Sequence, residues 1–357
     1  MTLARLPWFQ ILVLATFAAY PLIPGTNAVR GSAQFVPLFS FAILALGLNV
    51  VVGNAGLLHL GIAAFFGIGA YVVGILTVPT FPFHSSFLVA MVLATVISAA
   101  VGVATAAPTL RLRGDYLALV TLGFGQIFIY AVRNLTNVTG GTQGLTPILP
   151  AMLPGIEDPD TRALGLGPTW RGYPSFYYIS LFALAGTLVF LRNLENSRLG
   201  RAWVAIREDE LAASCMGLNP ARLKLAAIAI GAGLAGMAGC LYATGLKGTA
   251  GPQAFDFGRS MITLCCLILG GLGNRSGVLL GVLLLIGFDS VLTPEIDTWL
   301  QEQRVNPEGK QYLKVAGWRL FVFGLALILI MRYRPEGLLP GRRQRHELHT
   351  EEPTPGA

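Results

Sequence analysis

Residues 35–53 read FVPLFSFAILALGLNVVVG, an apolar run that contains no charged side chain. An α-helix needs about 20 apolar residues to cross the hydrocarbon core of a bilayer, and this run supplies them. The whole chain has the same character, because hydrophobic residues make up 54% of its 357 residues and charged residues only 12%. A soluble domain carries about 25% charged residues. The composition therefore excludes an ordinary soluble enzyme, a disordered chain and a nucleic-acid binder, and it predicts an all-α polytopic membrane protein.

Similar runs predict about ten transmembrane helices in one domain over residues 1–340, followed by a tail over 341–357. They lie at residues 8–24, 35–53, 60–78, 86–107, 116–132, 174–191, 225–244, 260–273, 278–293 and 317–331. The first run contains Pro21 and has no clear small-residue cleavage site, so we interpret it as a membrane anchor rather than a signal peptide. The Gly- and Pro-rich segment 133–173 divides the runs into equal halves, a layout that is common in inverted-repeat transporters.

The distribution of Lys and Arg predicts how the chain is oriented. Cytoplasmic loops of membrane proteins carry an excess of these residues. If the N-terminus is cytoplasmic, most of them fall in the inner segments 1–7, 54–59, 108–115, 192–224, 274–277 and 332–357. We therefore expect both termini in the cytoplasm, with the Arg-rich tail close to anionic lipid headgroups.

A short polar segment between the second and third runs is a candidate for the permeation pathway. Residues 54–61 read NAGLLHLG, so Asn54 and His59 are embedded in apolar sequence and glycines stand at 56 and 61. Glycine lets a helix break, and the freed backbone groups must then face a cavity or a ligand. The functional interpretation is a broken or re-entrant helix that places Asn54, Gly56, His59 and Gly61 on the pathway. The alternative is a tight inner turn with a hydrogen-bonded histidine.

The segment 192–224 is too polar to span a membrane, and it predicts an amphipathic helix over 201–216. Apolar residues recur in it near helical spacing, at Trp203, Ile206, Leu211 and Met216. Gly217 is placed to end the helix as a C-cap. The helix could lie on headgroups or dock on a protein. The acidic cluster 208–210 favours a protein partner, because helices that bind a membrane surface prefer Lys and Arg.

Two glycine motifs each have competing interpretations. Residues 231–236 read GAGLAG, which is literally a dinucleotide-binding pattern, but they lie in the middle of an apolar run. We interpret them as a site of close helix packing. After the fifth run, a turn that opens with Thr139, Gly140 and Gly141 could present backbone amides to an anionic group. Its composition favours a flexible outer turn.

The sequence lacks the motifs of an ATP-binding or hydrolytic enzyme. It contains no G-x-x-x-x-G-K-[ST], no H-E-x-x-H and no G-x-S-x-G. Its four Cys form no C-x-x-C pair, so we expect neither a metal site nor a disulfide framework. We also expect no cofactor. Asp289 is the sole carboxylate within the predicted spans on which an ion-coupled secondary carrier could depend. We therefore expect the energy for transport to come from another chain.

Several stretches together resemble the LivM-like family, the longer of the two permease types in ABC importers of branched-chain amino acids. They are GLLHLG at 56–61, AAFFGIGAY at 63–71, LRGDYLALVTLGFG at 112–125, TGG at 139–141, the segment 201–217, GGLG at 270–273 and RPEGL at 334–338. The resemblance covers roughly residues 35–340. It implies a non-catalytic permease of the inner membrane that pairs with a second, shorter permease chain. It also implies two ABC ATPase subunits on the cytoplasmic face and a periplasmic substrate-binding protein.

The resemblance also implies a role for the amphipathic helix. Residues 210–217 are similar to the E-A-A-x-x-x-G loop by which such permeases engage their ATPases, which makes a segment over about 198–218 the coupling helix. The residues that carry this assignment are Arg201, Ala205, Arg207, Glu208, Glu210, Ala212, Ala213 and Gly217. Where His59 stands the family commonly has Ser, and where Ile62 stands it has His or Gln. The substrate expected is therefore a branched-chain amino acid, with urea, a short amide or another small solute as the alternative.

Overall fold

The computed structural model describes residues 7–22, 28–78, 81–82, 85–109, 115–146, 148, 169–170, 173–246, 250–302, 315–334 and 337–339. Its α-helices are α1 Pro7–Ala19, α2 Ala28–Leu48, α3 Ile62–Thr77, α4 Phe87–Thr109, α5 Asp115–Asn134, α6 Thr136–Thr139, α7 Ser175–Asn196, α8 Arg198–Glu208, α9 Glu210–Cys215, α10 Pro220–Leu246, α11 Phe257–Gly270, α12 Arg275–Gly287, α13 Thr293–Glu302 and α14 Val315–Tyr333. Asn49–Asn54 and Phe288–Leu292 are π turns, and Tyr20–Leu22 and Pro252–Phe255 are 3-10 turns. Extended structure in the described residues is minor. Thr169–Trp170 pairs antiparallel with Tyr173–Pro174, and Leu145 bridges Ala250.

Every predicted span coincides with a helix, so the prediction of an all-α polytopic chain is confirmed. Within the described residues, 6 helices are long and apolar enough to cross a membrane: Gln34–Asn54, Phe87–Thr109, Tyr116–Asn134, Phe176–Asn196, Pro220–Gly245 and Arg275–Leu300. Shorter apolar helices occupy Trp8–Ala19, Ile62–Thr77 and Phe323–Tyr333, and α11 takes the remaining position. The predicted number of crossings stays a prediction. The predicted tail 341–357 lies outside the described residues.

Helix α10 is the centre of the molecule and packs against α2, α3 and α4. Small residues make this contact close: a Cβ on Gly239 would overlap the carbonyl oxygen of Phe66, and one on Gly69 would overlap that of Gly236. Gly231 lies against Gly47 in the same way, with its Cβ position 2.9 Å from the Gly47 carbonyl oxygen. The interpretation of the GAGLAG motif as a packing surface is therefore confirmed.

Helices α11 and α12 form a second close pair, joined by a glycine-rich turn over residues 271–274. Gly277 of α12 lies against the carbonyl oxygen of Gly270, and Gly281 against that of Cys266. The segment that follows α14 closes the end of α11, because the Leu338 amide donates to the Leu269 carbonyl oxygen at 2.9 Å. The turn is therefore held both by the close contact between α11 and α12 and by residues that follow α14.

The outer helices expose apolar side chains that a soluble protein would bury. On α4, Val92 and Val96 are 58% and 57% exposed, and on α5, Ile127 is 67% exposed. Apolar faces of this kind are stable when lipid or another apolar protein surface covers them. The described residues thus form a polytopic membrane protein with glycines at its closest helix contacts and apolar outer faces.

Candidate functional site

The predicted break after the second span is present. Helix α2 continues as the π turn Asn49–Asn54, and residues 55–61 are non-helical until α3 begins at Ile62. The Ala55 amide donates to the Val50 carbonyl oxygen at 3.2 Å, and the Leu57 amide to that of Val51 at 3.0 Å. Gly56 has a φ of +70°, which L side chains rarely adopt. Residues 49–61, called the break below, therefore interrupt the helical run at a glycine.

His59 lies inside the break and is 5% exposed. Its ring packs against Phe65 with the centroids 5.6 Å apart, and its Nδ1 atom has no hydrogen-bond partner among the described residues. A cavity of about 20 Å³ adjoins it, lined by His59, Thr105, Ala106, Thr109, Leu117, Val120, Thr121, Phe124 and Ile228. The histidine of a merely structural turn would have its buried nitrogen hydrogen-bonded. The unpartnered nitrogen beside a cavity therefore favours the functional interpretation of His59.

Helix α5 closes over the break. The Thr121 hydroxyl accepts a hydrogen bond from the Leu60 amide at 3.1 Å, and a Cβ on Gly61 would overlap the Thr121 carbonyl oxygen. The Ser260 hydroxyl on α11 accepts from the Ala63 amide at 3.0 Å. One amide just before α3 and one in its first turn are thus met by side chains from two other helices.

The predicted site residues at 139–141 lie at the opposite end of α5. From Thr121 to Asn134 the helix rises roughly 20 Å at about 1.5 Å per residue. Gly140 and Gly141 have φ values of +70° and +61°, and their amides already donate to the Thr136 carbonyl oxygen and the Thr139 hydroxyl. The structure does not bring this turn together with His59.

The amphipathic segment consists of two helices, so the prediction of one continuous helix over 201–216 is wrong. Asp209 ends α8 in an extended conformation, with a φ of −150°. Its carboxylate then caps α9 by accepting from the Leu211 and Ala212 amides at 2.8 and 2.9 Å. An aspartate at this position stabilises a helix start more than a helix interior. Gly217 follows α9 with a φ of +83°, as expected for the residue that ends it.

The chain breaks at Asp209, and the apolar residues of the segment therefore separate. Trp203 is fully buried and its Nε1 donates to the Leu223 carbonyl oxygen at 2.8 Å, while Ile206 is 5% exposed. Leu211 and Met216 are 76% and 84% exposed. The prediction of one shared apolar face is therefore wrong: α8 holds the segment on the membrane domain, and α9 presents its apolar residues outward.

Arg207 connects this segment to the break. Its Nη1 donates to the Gly53 carbonyl oxygen. Its side-chain stem lies against Gly56, where a Cβ would stand 2.8 Å from the Arg207 Cγ. Residues of the predicted coupling segment and of the predicted pathway segment, which lie far apart in the sequence, are therefore in direct contact.

Polar contacts that the sequence did not reveal hold the break from the other side. Asn49 Oδ1 accepts from the Gly273 amide at 2.9 Å. Glu195 at the end of α7 pairs with Arg275 at 3.0 Å and accepts a hydrogen bond from the Asn54 side chain. Asn49 could have been noticed as an amide inside an apolar run, but its partner lies too far along the chain for any local pattern to indicate.

No metal centre is indicated. In the part of the chain that the structure describes, His, Cys, Asp and Glu form no group of three or more that could hold an ion. Glu195, Arg207 and Arg275 instead join segments at one end of the helices.

Long apolar helices, a broken segment beside a buried cavity and an exposed two-helix element tied to that break define a transport permease. The chain belongs to the family described as the permease component of the branched-chain amino acid transport system, whose family model matches residues 32–331. It is therefore a membrane-embedded transport component, and the LivM-like resemblance is confirmed.

Curated relatives carry the same description. Over 352 residues the chain is 35% identical to the high-affinity branched-chain amino acid transport system permease protein LivM of Salmonella typhimurium, covering 95% of this chain and 76% of that protein. It is 25% identical to the probable LivM of Methanocaldococcus jannaschii, over 92% of both chains. It is 24% identical to the Salmonella typhimurium permease LivH, over 84% of this chain and 91% of that protein. No solved structure matches the chain.

Proposed function

We propose that this chain is a transmembrane permease subunit of an ATP-binding-cassette importer that moves leucine, isoleucine and valine across the inner membrane. One observation carries the proposal. Helix α9 exposes apolar side chains that a partner protein could cover, and α8, which precedes it, contacts the break through Arg207. The family and the names of the relatives support branched-chain amino acids as the substrate.

The partners follow from the same features. The chain has no phosphate-binding loop, so ATP is hydrolysed by separate subunits, here two ABC ATPases. A periplasmic binding protein delivers the substrate, and a second, shorter permease chain of the LivH type completes the pathway. The family match over residues 32–331 supports a single transmembrane domain within 1–340, with the tail at 341–357.

The contacts of the break support the predicted orientation. Segments that were each predicted to be cytoplasmic meet there: Asn54 contacts Glu195, Glu195 contacts Arg275, and Asn274 Nδ2 donates to the Leu339 carbonyl oxygen at 2.9 Å. Four separately predicted inner segments at one end of the helices are what N-terminus-in and C-terminus-in topology requires. The coupling segment then faces the cytoplasm, where the ATPases bind.

Helix α9 supplies the ATPase-facing surface. Leu211 and Met216 are its exposed apolar side chains, and the acidic Glu208 and Glu210 border them. Of the predicted coupling residues, Arg201, Ala212 and Gly217 are exposed as well. The others act within the permease: Ala213 is buried, Ala205 is half-buried in α8, and Arg207 reaches the break.

The mechanism is the transmission of a rigid movement. Trp203 fixes α8 to the start of α10, and Lys224 of α10 pairs with Glu210 of α9 at 2.7 Å. When the ATPases close, they push α9, and the linked α8 displaces the backbone at Gly53 and Gly56. A displacement there opens or closes the pathway next to His59 by alternating access.

The substrate assignment has one alternative that a specific observation favours. His59 places an unpartnered nitrogen at a cavity, where the resemblance leads one to expect Ser. A different polar group at that point is compatible with a small polar solute such as urea or a short amide. Zwitterionic amino acids suit a pathway of helix ends and backbone dipoles, and the family favours them.

The proposal is tested by purifying the chain with its ATPases. Leu211→Glu combined with Met216→Glu places charges in the apolar part of the proposed contact, so the ATPases should no longer copurify. Leu199→Glu on α8, an exposed leucine outside both α9 and the predicted spans, reports the general effect of such a charge. Retention of the ATPases by the α9 double variant contradicts the assignment of α9, and loss in the α8 variant alone contradicts it too.

A further inference from the structure

We infer that Asn49 is a positioning residue for transport: its side chain holds the π turn of the break against the turn that joins α11 to α12. The inference rests on the proposed function, because it concerns how movement of the coupling segment reaches the pathway. Asn49 is 1% exposed, and its Oδ1 accepts from the Gly273 amide at 2.9 Å. This amide comes from a residue 224 positions further along the chain, so the bond joins two distant segments.

The π turn is a conformation that needs external support. π-helical turns are rare, occur mostly as single turns inside α-helices, and are frequent at functional sites. Three polar contacts reach Asn49–Asn54 from other segments: Gly273 bonds Asn49, Arg207 bonds Gly53, and Glu195 bonds Asn54. The turn is thus held at its start and at its end.

Gly53 is where these supports converge. A Cβ at this position would overlap Asn49 Oδ1 and would stand 2.8 Å from the Gly273 amide nitrogen. Gly273 itself adopts a φ of +77°, and a Cβ on it would be 3.7 Å from Arg207 Nη1. Asn49, Gly273 and Arg207 therefore meet around one glycine that leaves no room for a side chain.

The junction, meaning the place where Asn49, Gly273 and Arg207 meet around Gly53, therefore depends on Asn49. If the hydrogen bond to Gly273 is lost, the π turn can relax to the α-helical register, and one residue of helix corresponds to a rotation of about 100°. That rotation carries the Gly53 carbonyl away from Arg207, so a movement of α8 no longer reaches the break. The ATPases continue to bind and hydrolyse ATP, but the substrate is not moved.

The test compares the substrate taken up per ATP hydrolysed by the complete reconstituted complex. Asn49→Leu removes the acceptor at similar volume, and Asn49→Asp keeps a carboxyl oxygen in its place. We expect uptake per ATP to fall about tenfold in the leucine variant and to recover in the aspartate variant, because only the leucine variant leaves the Gly273 amide without its acceptor. Tyr177→Phe is the matched control, since it removes a buried hydrogen bond to the Phe17 carbonyl oxygen far from the junction.

The outcomes separate this inference from the proposed function. Unchanged uptake per ATP in Asn49→Leu overturns the inference, as does an equal loss in Tyr177→Phe, which would mark a general packing defect. If the leucine variant does not fold, failure of the aspartate variant to transport overturns it instead. If wild-type complex takes up leucine without ATP hydrolysis, the proposed function itself fails.

Discussion

At the scale of single residues, the proposed mechanism depends mainly on Arg207 and His59. Arg207 stands on the coupling segment, but its guanidinium bonds a carbonyl of the break 154 positions away in sequence. His59 keeps a nitrogen without a partner beside a cavity. In the proposed mechanism, Arg207 transmits movement to the break and His59 faces the cavity beside it.

We predict that Arg207→Ala uncouples transport. The loss of one hydrogen bond is worth about 1 kcal/mol, so uptake per ATP should fall about fivefold while ATPase binding is retained. The measurement is the simultaneous assay of uptake and hydrolysis in proteoliposomes. Arg222→Ala, an exposed arginine at the start of α10, is the control. Equal ratios in wild type and Arg207→Ala would show that the contact is irrelevant to coupling.

We predict that His59→Ser changes the uptake profile. Serine is smaller, so the cavity beside it grows and the buried ring nitrogen disappears. The measurement is competition of labelled leucine uptake by isoleucine, valine and small amides. A competition profile identical to that of the wild type counts against a place for His59 on the pathway.

At the scale of elements, the coupling segment shows what sequence could and could not predict. Its amphipathic pattern predicted that Trp203 and Ile206 belong to one apolar face, and both are buried, although against the chain's own helices rather than on headgroups or a partner. The pattern failed at Asp209, because capping of α9 by the aspartate outweighs helical periodicity, and Leu211 and Met216 consequently turn outward. The helices themselves were predictable from their apolar runs, whereas the contacts of Asn49, Glu195 and Arg207 join residues distant in sequence and leave no local signal.

We predict that Glu210→Arg lowers the uptake per ATP hydrolysed. Exchanging the charges of Glu210 and Lys224 shows whether the cause lies within the chain or at the ATPase. The substitution places an arginine beside Lys224, where the native carboxylate now pairs at 2.7 Å. If the contact that matters is within the chain, Glu210→Lys with Lys224→Glu restores uptake. If Glu210 acts on the ATPase, the exchanged pair stays defective. The coupling assignment is contradicted if Glu210→Arg alone leaves both uptake and ATPase binding normal.

At the scale of the whole molecule, small residues decide how the helices assemble. Helix α10 meets α2, α3 and α4 through glycines that allow backbone to approach backbone, which is how membrane helices associate without a hydrophobic driving force. The sequence predicted this use of GAGLAG, since a glycine motif inside an apolar run suits packing better than a nucleotide.

We predict that Gly239→Val destabilises the folded chain by about 1–3 kcal/mol or more, because its side chain would overlap the Phe66 carbonyl oxygen. Gly186→Val on α7 is the matched control, since no atom lies within 4 Å of its Cβ position. The measurement is thermal unfolding of both variants in detergent. Equal midpoints would contradict the packing described for α10.

Transport driven by ATP can be measured as leucine uptake by proteoliposomes that contain the complete complex, with ATP hydrolysis recorded on the same vesicles. We expect uptake to require ATP, the ATPase subunits and the loaded binding protein, and to stop when ATP is withheld. Uptake by this chain alone, driven by an ion gradient without ATPase subunits, would contradict this expectation.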